Sequence, residues 1–591
     1  MSSQKRERAS SKDLKESSLR VFLAKLRKRH IIETLAAFIG GGWLIYEIVH
    51  WILVVHYHLP EKLLDITIIT LLGALIITLI WRWFSGREQP RKFKLELVLI
   101  PLVLLITVLL DINLVLHLKA PASEAIPAAK WKNSIAVLPF VDMSPQKDQE
   151  YFCDGMTEEL INRLSNIKEL KVPARTSAFF FKGKAQDIQE IGQKLKVNMV
   201  LEGSVRRAGN ELRITAQLVN IADSYHLWSQ TYDRELQDIF ALQDEISLQI
   251  INKLKIELLG EVRDRIAKRY TDNTEAYDSY VRGLWLLNNK LTEEEWRKAI
   301  LHFERAIEID PNFSLAYVEL ARVHISLWFW YFVSADKAIP KAKKALDQAL
   351  KIDPELPEAL AWLGLIKFNF EYDWLGGESD IKKALELNSN CGIAHLRLRD
   401  ILLSTGQFDK AIEENSAALE LDPLSLYRQG NYAMGLYQAR RYDDAIKQCR
   451  KSLELDPEYL YALGTLGECY VQKLQFPEAI AALQKATILS GNSTGSLSDL
   501  AYAYAVFGNH EKAIETVREL DKLSEHVYVS KYYVACIQAA LGNKDKAFES
   551  LESSYKERDA DLIFLNVDPK FDVLRSDPRY EIILKKIGLK K

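Results

Sequence analysis

The sequence predicts a multi-domain fold in three parts: three transmembrane helices, a mixed α/β domain, and an all-α solenoid of paired helices. Three observations carry this reading. Apolar residues concentrate in three long windows within the first 118 positions, residues 134–260 alternate between strand-like and helix-like runs, and an Ala recurs every 34 residues further on. Windows above ~18 apolar residues match a hydrocarbon core of ~30 Å, patterns of period two match half-buried strands, and a fixed 34-residue period matches stacked helix pairs.

Composition narrows the class before any element is placed. The chain has 591 residues, 48% hydrophobic and 27% charged, with a formal net charge of -2, which excludes a disordered, collagen-like or supercharged protein. Cys153, Cys391, Cys449, Cys469 and Cys536 are scattered and form no C-x-x-C, so neither a disulfide scaffold nor a zinc ribbon is expected.

The first element is a basic tail, residues 1–30, with Lys5, Arg6, Arg8, Lys12, Lys15, Arg20, Lys25, Arg27, Lys28 and Arg29. The apolar windows run over about 31–55, 63–80 and 95–116. Arg82, Arg87, Arg91, Lys92 and Lys94 follow the second window, while HYHLPEK after the first offers only Lys62. The positive-inside rule then places the tail in the cytoplasm and everything after Lys119 on the far side. That predicts a multi-pass protein of the bacterial inner membrane with periplasmic C-terminal domains, in contact with lipid and open to homo-oligomers through its membrane helices. His50, His56 and His58, with Glu47 and Glu61, are read as interfacial polar residues. Residues 119–133, KAPASEAIPAAKWKN, read as a linker.

Residues 134–260 form the α/β unit. SIAVLPF is a short buried-strand run, TEELINRLS after Asp154 and Gly155 has a helical period, LKVPARTS reads as a strand and DIQEIGQKLKV as a helix. MVLEGSVRR and ELRITAQLVNI are two strands joined across Ala208, Gly209 and Asn210; Leu212, Ile214, Ala216 and Leu218 alternate with Arg213, Thr215 and Gln217. A strand at HLWSQTYDR and a helix from Asp238 to about Leu258 close the unit. The ordered strings SIAVLPFVDMSPQKDQEYFCDGMTEELINRLS, ARTSAFFFKGK, VLEGSVRR, ITAQLVN, YHLWSQTYDR and FALQDEI resemble the TolB-like or FlgO-like domain of bacterial membrane-anchored repeat proteins. Many such relatives carry a nucleotide cyclase or winged-helix DNA-binding domain ahead of the membrane segment. About 30 residues precede the first apolar window here, so the resemblance implies neither activity, and no enzyme is expected.

From Thr274 to Lys591 the chain repeats. Ala411, Ala445, Ala479, Ala513 and Ala547 are 34 residues apart, preceded by Ala299 and Ala342 at a gap of 43. Pro311, Pro354, Pro423 and Pro457 stand twelve residues beyond the landmark and end the second helix of each unit. The period identifies about eight tetratricopeptide repeats (TPR), in which Gly364, Gly467, Ala306 and Ala384 let helices approach and Phe303, Leu419, Leu453 and Tyr470 fill the seams. The long gap holds the aromatic run Trp328, Phe329, Trp330, Tyr331 and Phe332. Such a run either packs in a core or, through Trp328, Trp330 and Tyr331, marks a docking patch. The stretch from Ala540 onward resembles an end-of-group cap with a polar outer face, its Asp568, Asp572, Asp577 and Arg575 capping turns.

Chemistry is not written in short motifs. Neither G-x-x-x-x-G-K-[ST], G-x-G-x-x-G, H-E-x-x-H nor G-x-S-x-G occurs, so no catalytic residue, cofactor or metal is expected. Balanced charge along the repeats argues against nucleic acid. The expected function is a periplasm-facing scaffold holding a protein or peptide in the TPR groove. The alternatives are an envelope sensor working through a cytoplasmic partner, and a protein called an adenylate cyclase by association without the catalytic domain.

Overall fold

The computed structural model describes residues 63–85 and 133–590, apart from 168, 185, 255–267 and 291, with single positions elsewhere in the first 107 residues. The chain divides into two compact units, Met1–Pro127 and Ala128–Lys591.

In the first unit helix α1 spans Leu63–Ser85. Among the described residues no helix is long and apolar enough to cross a membrane. The expected three transmembrane helices are corrected on this ground. The inner-membrane localisation is corrected with them, and the lipid contact and the oligomer through membrane helices have no support among the described residues. The tail, the windows 31–55 and 95–116, and nearly all of the linker lie outside the described residues, as do His56 and His58.

The second unit opens with a five-stranded mixed sheet: β1 (Ile135–Val137), β2 (Val141–Asp142), β3 (Met199–Ala208), β4 (Glu211–Asn220) and β5 (His226–Glu235), in the order β1-β3-β4-β5 with β2 also on β3. β1 and β2 run parallel to β3, with Val137 opposite Leu201, whereas β3, β4 and β5 are antiparallel, with Val205 opposite Ile214 and Ile214 opposite Tyr232. The β3–β4 hairpin turns over Gly209, whose φ of +63° is the left-handed conformation such tight loops require. Helices α2 (Glu150–Ser165), α3 (Arg175–Phe179), α4 (Ile188–Leu195) and α5 (Ile239–Leu254) complete this part.

One expected strand is absent. LKVPARTS contributes a single parallel bridge, Ser134 to Lys171, and then winds into α3. Pro173 has no N–H to extend a ladder, and the backbone N–H groups of Ala174 and Ser177 are drawn to Leu421 O (2.7 Å) and Asp422 Oδ1 (3.0 Å) instead.

Eight helix pairs follow: α6 (Thr274–Asn289) with α7 (Glu293–Ile309), α8 (Ser314–Phe329) with α9 (Ala335–Ile352), α10 (Pro357–Leu365) with α11 (Trp374–Leu387), and α12 (Gly392–Ser404) with α13 (Phe408–Leu421). Then come α14 (Leu426–Gln438) with α15 (Tyr442–Leu455), α16 (Leu460–Gln472) with α17 (Phe476–Leu489), α18 (Thr494–Val506) with α19 (His510–Leu523), and α20 (Lys531–Ala540) with α21 (Lys544–Glu557). Two 3-10 turns, Ala560–Phe564 and Pro569–Leu574, and α22 (Pro578–Lys586) end the chain. Within a pair the close approach is made by small residues. A Cβ at Gly467 would stand 2.4 Å from Leu483 Cγ, and one at Gly364 would stand 2.6 Å from Ile381 Cγ1, so the first and second helices pack nearly backbone to side chain.

The sheet domain and the first repeat share one core. α2 crosses α6 at Gly155, where a Cβ would stand 2.4 Å from Val281 Cγ1. Phe240 of α5 meets Tyr277 of α6 edge-on at 5.2 Å, and Tyr280 meets Phe313 at 4.8 Å. Apolar burial is continuous from Ile135 to Leu327, which makes the junction a packed interior.

Candidate ligand cleft

The repeats turn one edge toward the sheet domain, and the residues on that edge are those preceding the landmark prolines or standing in their place. Each forms a local turn and also takes a partner from upstream. Asp310 accepts from Asn312 N (3.0 Å) and from Thr271 Oγ1 (2.5 Å). Asp353 pairs with Lys268 Nζ at 2.7 Å. Asn388 receives Asn390 N (2.8 Å) and donates to Asn166 Oδ1 (3.1 Å), while Asn390 donates to Ser165 O (3.0 Å). Asp422 accepts both Ser177 N (3.0 Å) and Ser177 Oγ (2.6 Å), and it pairs with Arg428 at 3.0 Å. Four successive repeats are thus fastened to the sheet domain and the segment that leads out of it.

Between these fastenings a cleft of about 740 Å³ opens, walled by α2 and α3 on one side and by the first helices α6, α8, α10, α12 and α14 on the other. Its apolar lining includes Phe179, Trp362, Ile393 and Leu396. Its polar lining is a chain across both walls. Arg175 Nε lies 3.3 Å from Glu158, which accepts from Asn288 Nδ2 (3.4 Å); Asn288 accepts from Arg322 Nη2 (2.7 Å), and Arg322 Nε pairs with Glu319 at 2.8 Å. Burial pushes the Glu319 carboxyl up to about 7 against the pull of Arg322, and burial also raises Glu358. With most of its charges paired and Glu319 and Glu358 shifted by burial toward the neutral form, the cleft offers neutral hydrogen-bonding groups between apolar patches. That suits an uncharged polar chain better than a free ion.

The inner surface is already filled from the second repeat to the sixth. The C-terminal segment folds back across it instead of ending the stack with a polar face, and Leu562, Phe571 and Leu574 are wholly buried. Tyr331 Oη donates to Asp561 (2.9 Å), Asn369 Nδ2 to Ala560 O (3.2 Å), Asn566 Nδ2 to Ser404 O (3.1 Å), and Arg440 pairs with Asp572 at 2.7 Å. Lys570, fully enclosed, pairs with Glu468 and lies 3.8 Å from Asp499.

The residues singled out in the sequence take these places. Ala299, Ala342, Ala411, Ala445, Ala479, Ala513 and Ala547 are all fully buried. Pro311, Pro354, Pro423 and Pro457 follow the turn residues Asp310, Asp353, Asp422 and Asp456. The aromatic run is divided by the end of α8: Trp328 is 2% exposed against Phe329 and Phe370, Trp330 is 56% exposed and edge-on to Trp296, and Tyr331 reaches the C-terminal segment. Asp568 caps the turn at Pro569 and also accepts from Tyr532 Oη at 2.8 Å; Asp577 caps α22. The cleft-facing Arg175, Glu319 and Arg322 were not foreseen. Glu319 and Arg322 fall one turn apart on the face of α8 that also carries Leu315 and Val318, and a charged pair inside an apolar stripe was the signal available. Among the described residues no group of His, Cys, Asp and Glu is arranged to hold a metal, and all five cysteines are free and buried.

Residues 436–493 match the tetratricopeptide repeat family. Tetratricopeptide repeats build the C-terminal region. Residues 131–249, the sheet domain, match the second domain of HilA/YgeH-like transcriptional regulators. The chain is 39% identical over 253 residues to a putative adenylate cyclase 3 of Rhizobium meliloti, covering 41% of this chain and 42% of that protein. It is 24% identical over 240 residues to the transcriptional regulator HilA of Salmonella typhimurium, with 40% and 42% covered. The chain thus spans about two fifths of the length of these curated relatives. Among solved structures it is similar to YrrB, described as a TPR protein with an unusual peptide-binding site, at 22% identity and a TM-score of 0.25, covering 33% of this chain and 95% of that one.

Proposed function

We propose that the chain is a protein-binding scaffold whose cleft between the sheet domain and the first five repeats takes an extended peptide segment of a partner. The observation that carries this is the cleft itself: it lies on the edge that faces the sheet domain, and its lining includes no residue of the C-terminal segment that fills the inner surface of the repeats. Paired charges and side-chain amides offer partners to a peptide backbone, and Trp362, Ile393 and Phe179 offer apolar seats for alternate side chains. A wall fixed by Asp422 and Asn390 keeps the ordering cost of binding low. The motifs from SIAVLPF to FALQDEI support a TolB-like or FlgO-like reading of the sheet domain. The chain's own contribution is binding and not catalysis.

The test is retention of peptides from a random library by the immobilised full chain. Ile393→Trp, which fills the cleft, should abolish selective retention with helicity unchanged. Retention indifferent to Ile393→Trp and to Arg175→Glu would move the site elsewhere. Formation of a cyclic nucleotide from ATP with magnesium or manganese, above a heat-killed control, would overturn the non-catalytic reading.

A further inference from the structure

We propose that the outer face of the first two repeats carries a second docking site, a groove for an amphipathic α-helix of another protein whose flank toward α9 is acidic. The groove has a volume of about 990 Å³ and lies on the far side of α8 from the cleft. Tyr317, Leu320, His324 and Leu327 form its floor, whereas Leu315, Val318, Glu319 and Arg322 line the cleft. At 3.6 residues per turn these two sets lie on opposite faces of the one helix. The sites are therefore separate surfaces.

The walls are unequal. Along α7, Arg297 pairs with Glu293 at 2.7 Å, Lys298 with Glu294 at 2.9 Å and Arg305 with Glu308 at 3.4 Å, and Glu304 also lines the groove, so this wall carries both signs. Along α9, Lys337, Lys341 and Lys344 stand at i, i+4 and i+7 on the groove edge, all exposed, and none has a carboxylate partner among the described residues. Like charges at this spacing repel, and a row of carboxylates on an occupant removes that repulsion. His324 keeps the floor neutral, since burial, with Lys341 and Arg297 nearby, pulls its imidazole down to about 4. Leu301 protrudes beside the floor at 65% exposure, and an apolar stripe on an incoming helix would cover it. From Lys337 to Gln348 the wall runs ~16 Å, about three helical turns. The long gap between Ala299 and Ala342 supplies that length: α8 and α9 have 16 and 18 residues, against 13 and 14 in α14 and α15.

Two labelled synthetic helical peptides, sharing one leucine stripe and carrying either glutamates or lysines along one flank, test the proposal by fluorescence anisotropy on the full chain. The glutamate peptide should bind at least tenfold more tightly than the lysine peptide. The triple variant K337E/K341E/K344E should reverse that order, L301D should weaken the glutamate peptide at least tenfold, and the cleft variant Arg175→Glu should leave both unchanged. Circular dichroism confirms that each variant keeps its helicity. Equal affinities, no binding of the glutamate peptide, or an order unmoved by the triple variant would overturn the proposal. So would a wild-type dimer in sedimentation that L301D dissolves, because the face would then belong to a second copy.

Discussion

Asp422 and Asp456 hold the same position in consecutive repeats, each before a proline that ends a second helix, yet they are embedded differently. Asp422 binds Ser177 of the sheet domain twice and Arg428 once. Asp456 accepts from its own turn at Glu458 N, 2.9 Å. The first four repeats are tied along this edge, and the second to the sixth are tied from inside by the C-terminal segment. A repeat motif thus fixes the local turn, and whether a neighbour packs against it decides whether the same carboxylate becomes an anchor.

The inside tie is the stronger test. Lys570→Met would leave Glu468 and Asp499 buried beside an apolar side chain, and removing one partner of a buried pair costs ~3–5 kcal/mol. Urea unfolding of the variant should show a matching fall in midpoint. If the later repeats keep wild-type stability, the C-terminal segment is not what holds them.

The edge comparison is sharpened directly by two alanines. Asp422→Ala strands Arg428 and frees Ser177, for a loss of ~2–3 kcal/mol. Asp456→Ala loses one exposed turn contact, ~0.5–1 kcal/mol. Equal losses in denaturant melts would mean that the contacts of Asp422 to Ser177 are incidental.

Proton linkage separates the cleft from the rest. Glu319 has a folded pKa of about 7 against 4.5 in the open chain, so the folded state holds the extra proton. Its contribution is fully present below pH 4.5 and is lost as pH rises to 7. Stability should fall across this window by ~3 kcal/mol, and Glu319→Gln should flatten the slope. A slope of the same size in the Gln variant would assign the linkage to another group.

The two regions also differed in how much could be read in advance. The solenoid was legible because each landmark alanine answers a local demand, room for a facing helix, that recurs at 34 residues. The strands β3, β4 and β5 were legible from alternation. LKVPARTS was not, because its outcome is set by Leu421 and Asp422, some 245 positions away. The cleft was hidden for the same reason: Arg175 and Arg322 meet through Glu158 and Asn288 only after the sheet domain has docked. The apolar windows near the N-terminus misled, since hydropathy alone was asked to decide an environment. The end-of-chain cap looked polar in sequence, and its apolar residues Leu562, Phe571 and Leu574 were spaced for two short 3-10 turns, a pattern that helical periodicity does not flag.

The smallest effect lies in the turns between paired helices, where the repeats carry a second 34-residue rhythm. Tyr372, Gly406, Arg440, Leu474, Gly508 and Gly542 all have φ between +56° and +79°. Three are glycine, which adopts this conformation freely, and three are not. Tyr372 stacks on Tyr555 of α21 at 5.9 Å and Arg440 pairs with Asp572 of the C-terminal segment, so each recovers its backbone cost through a distant contact. Leu474 is 73% exposed and has no such contact to offset it. A left-handed leucine costs ~1–2 kcal/mol, and glycine returns ~0.4–1 kcal/mol of that by loosening the unfolded chain. Leu474→Gly should therefore stabilise by ~0.5–1 kcal/mol in thermal melts, while Tyr372→Gly and Arg440→Gly should destabilise. If Leu474→Gly also destabilises, the exposed leucine contributes more to the folded chain than its left-handed backbone costs, and the cost assigned to that conformation is wrong.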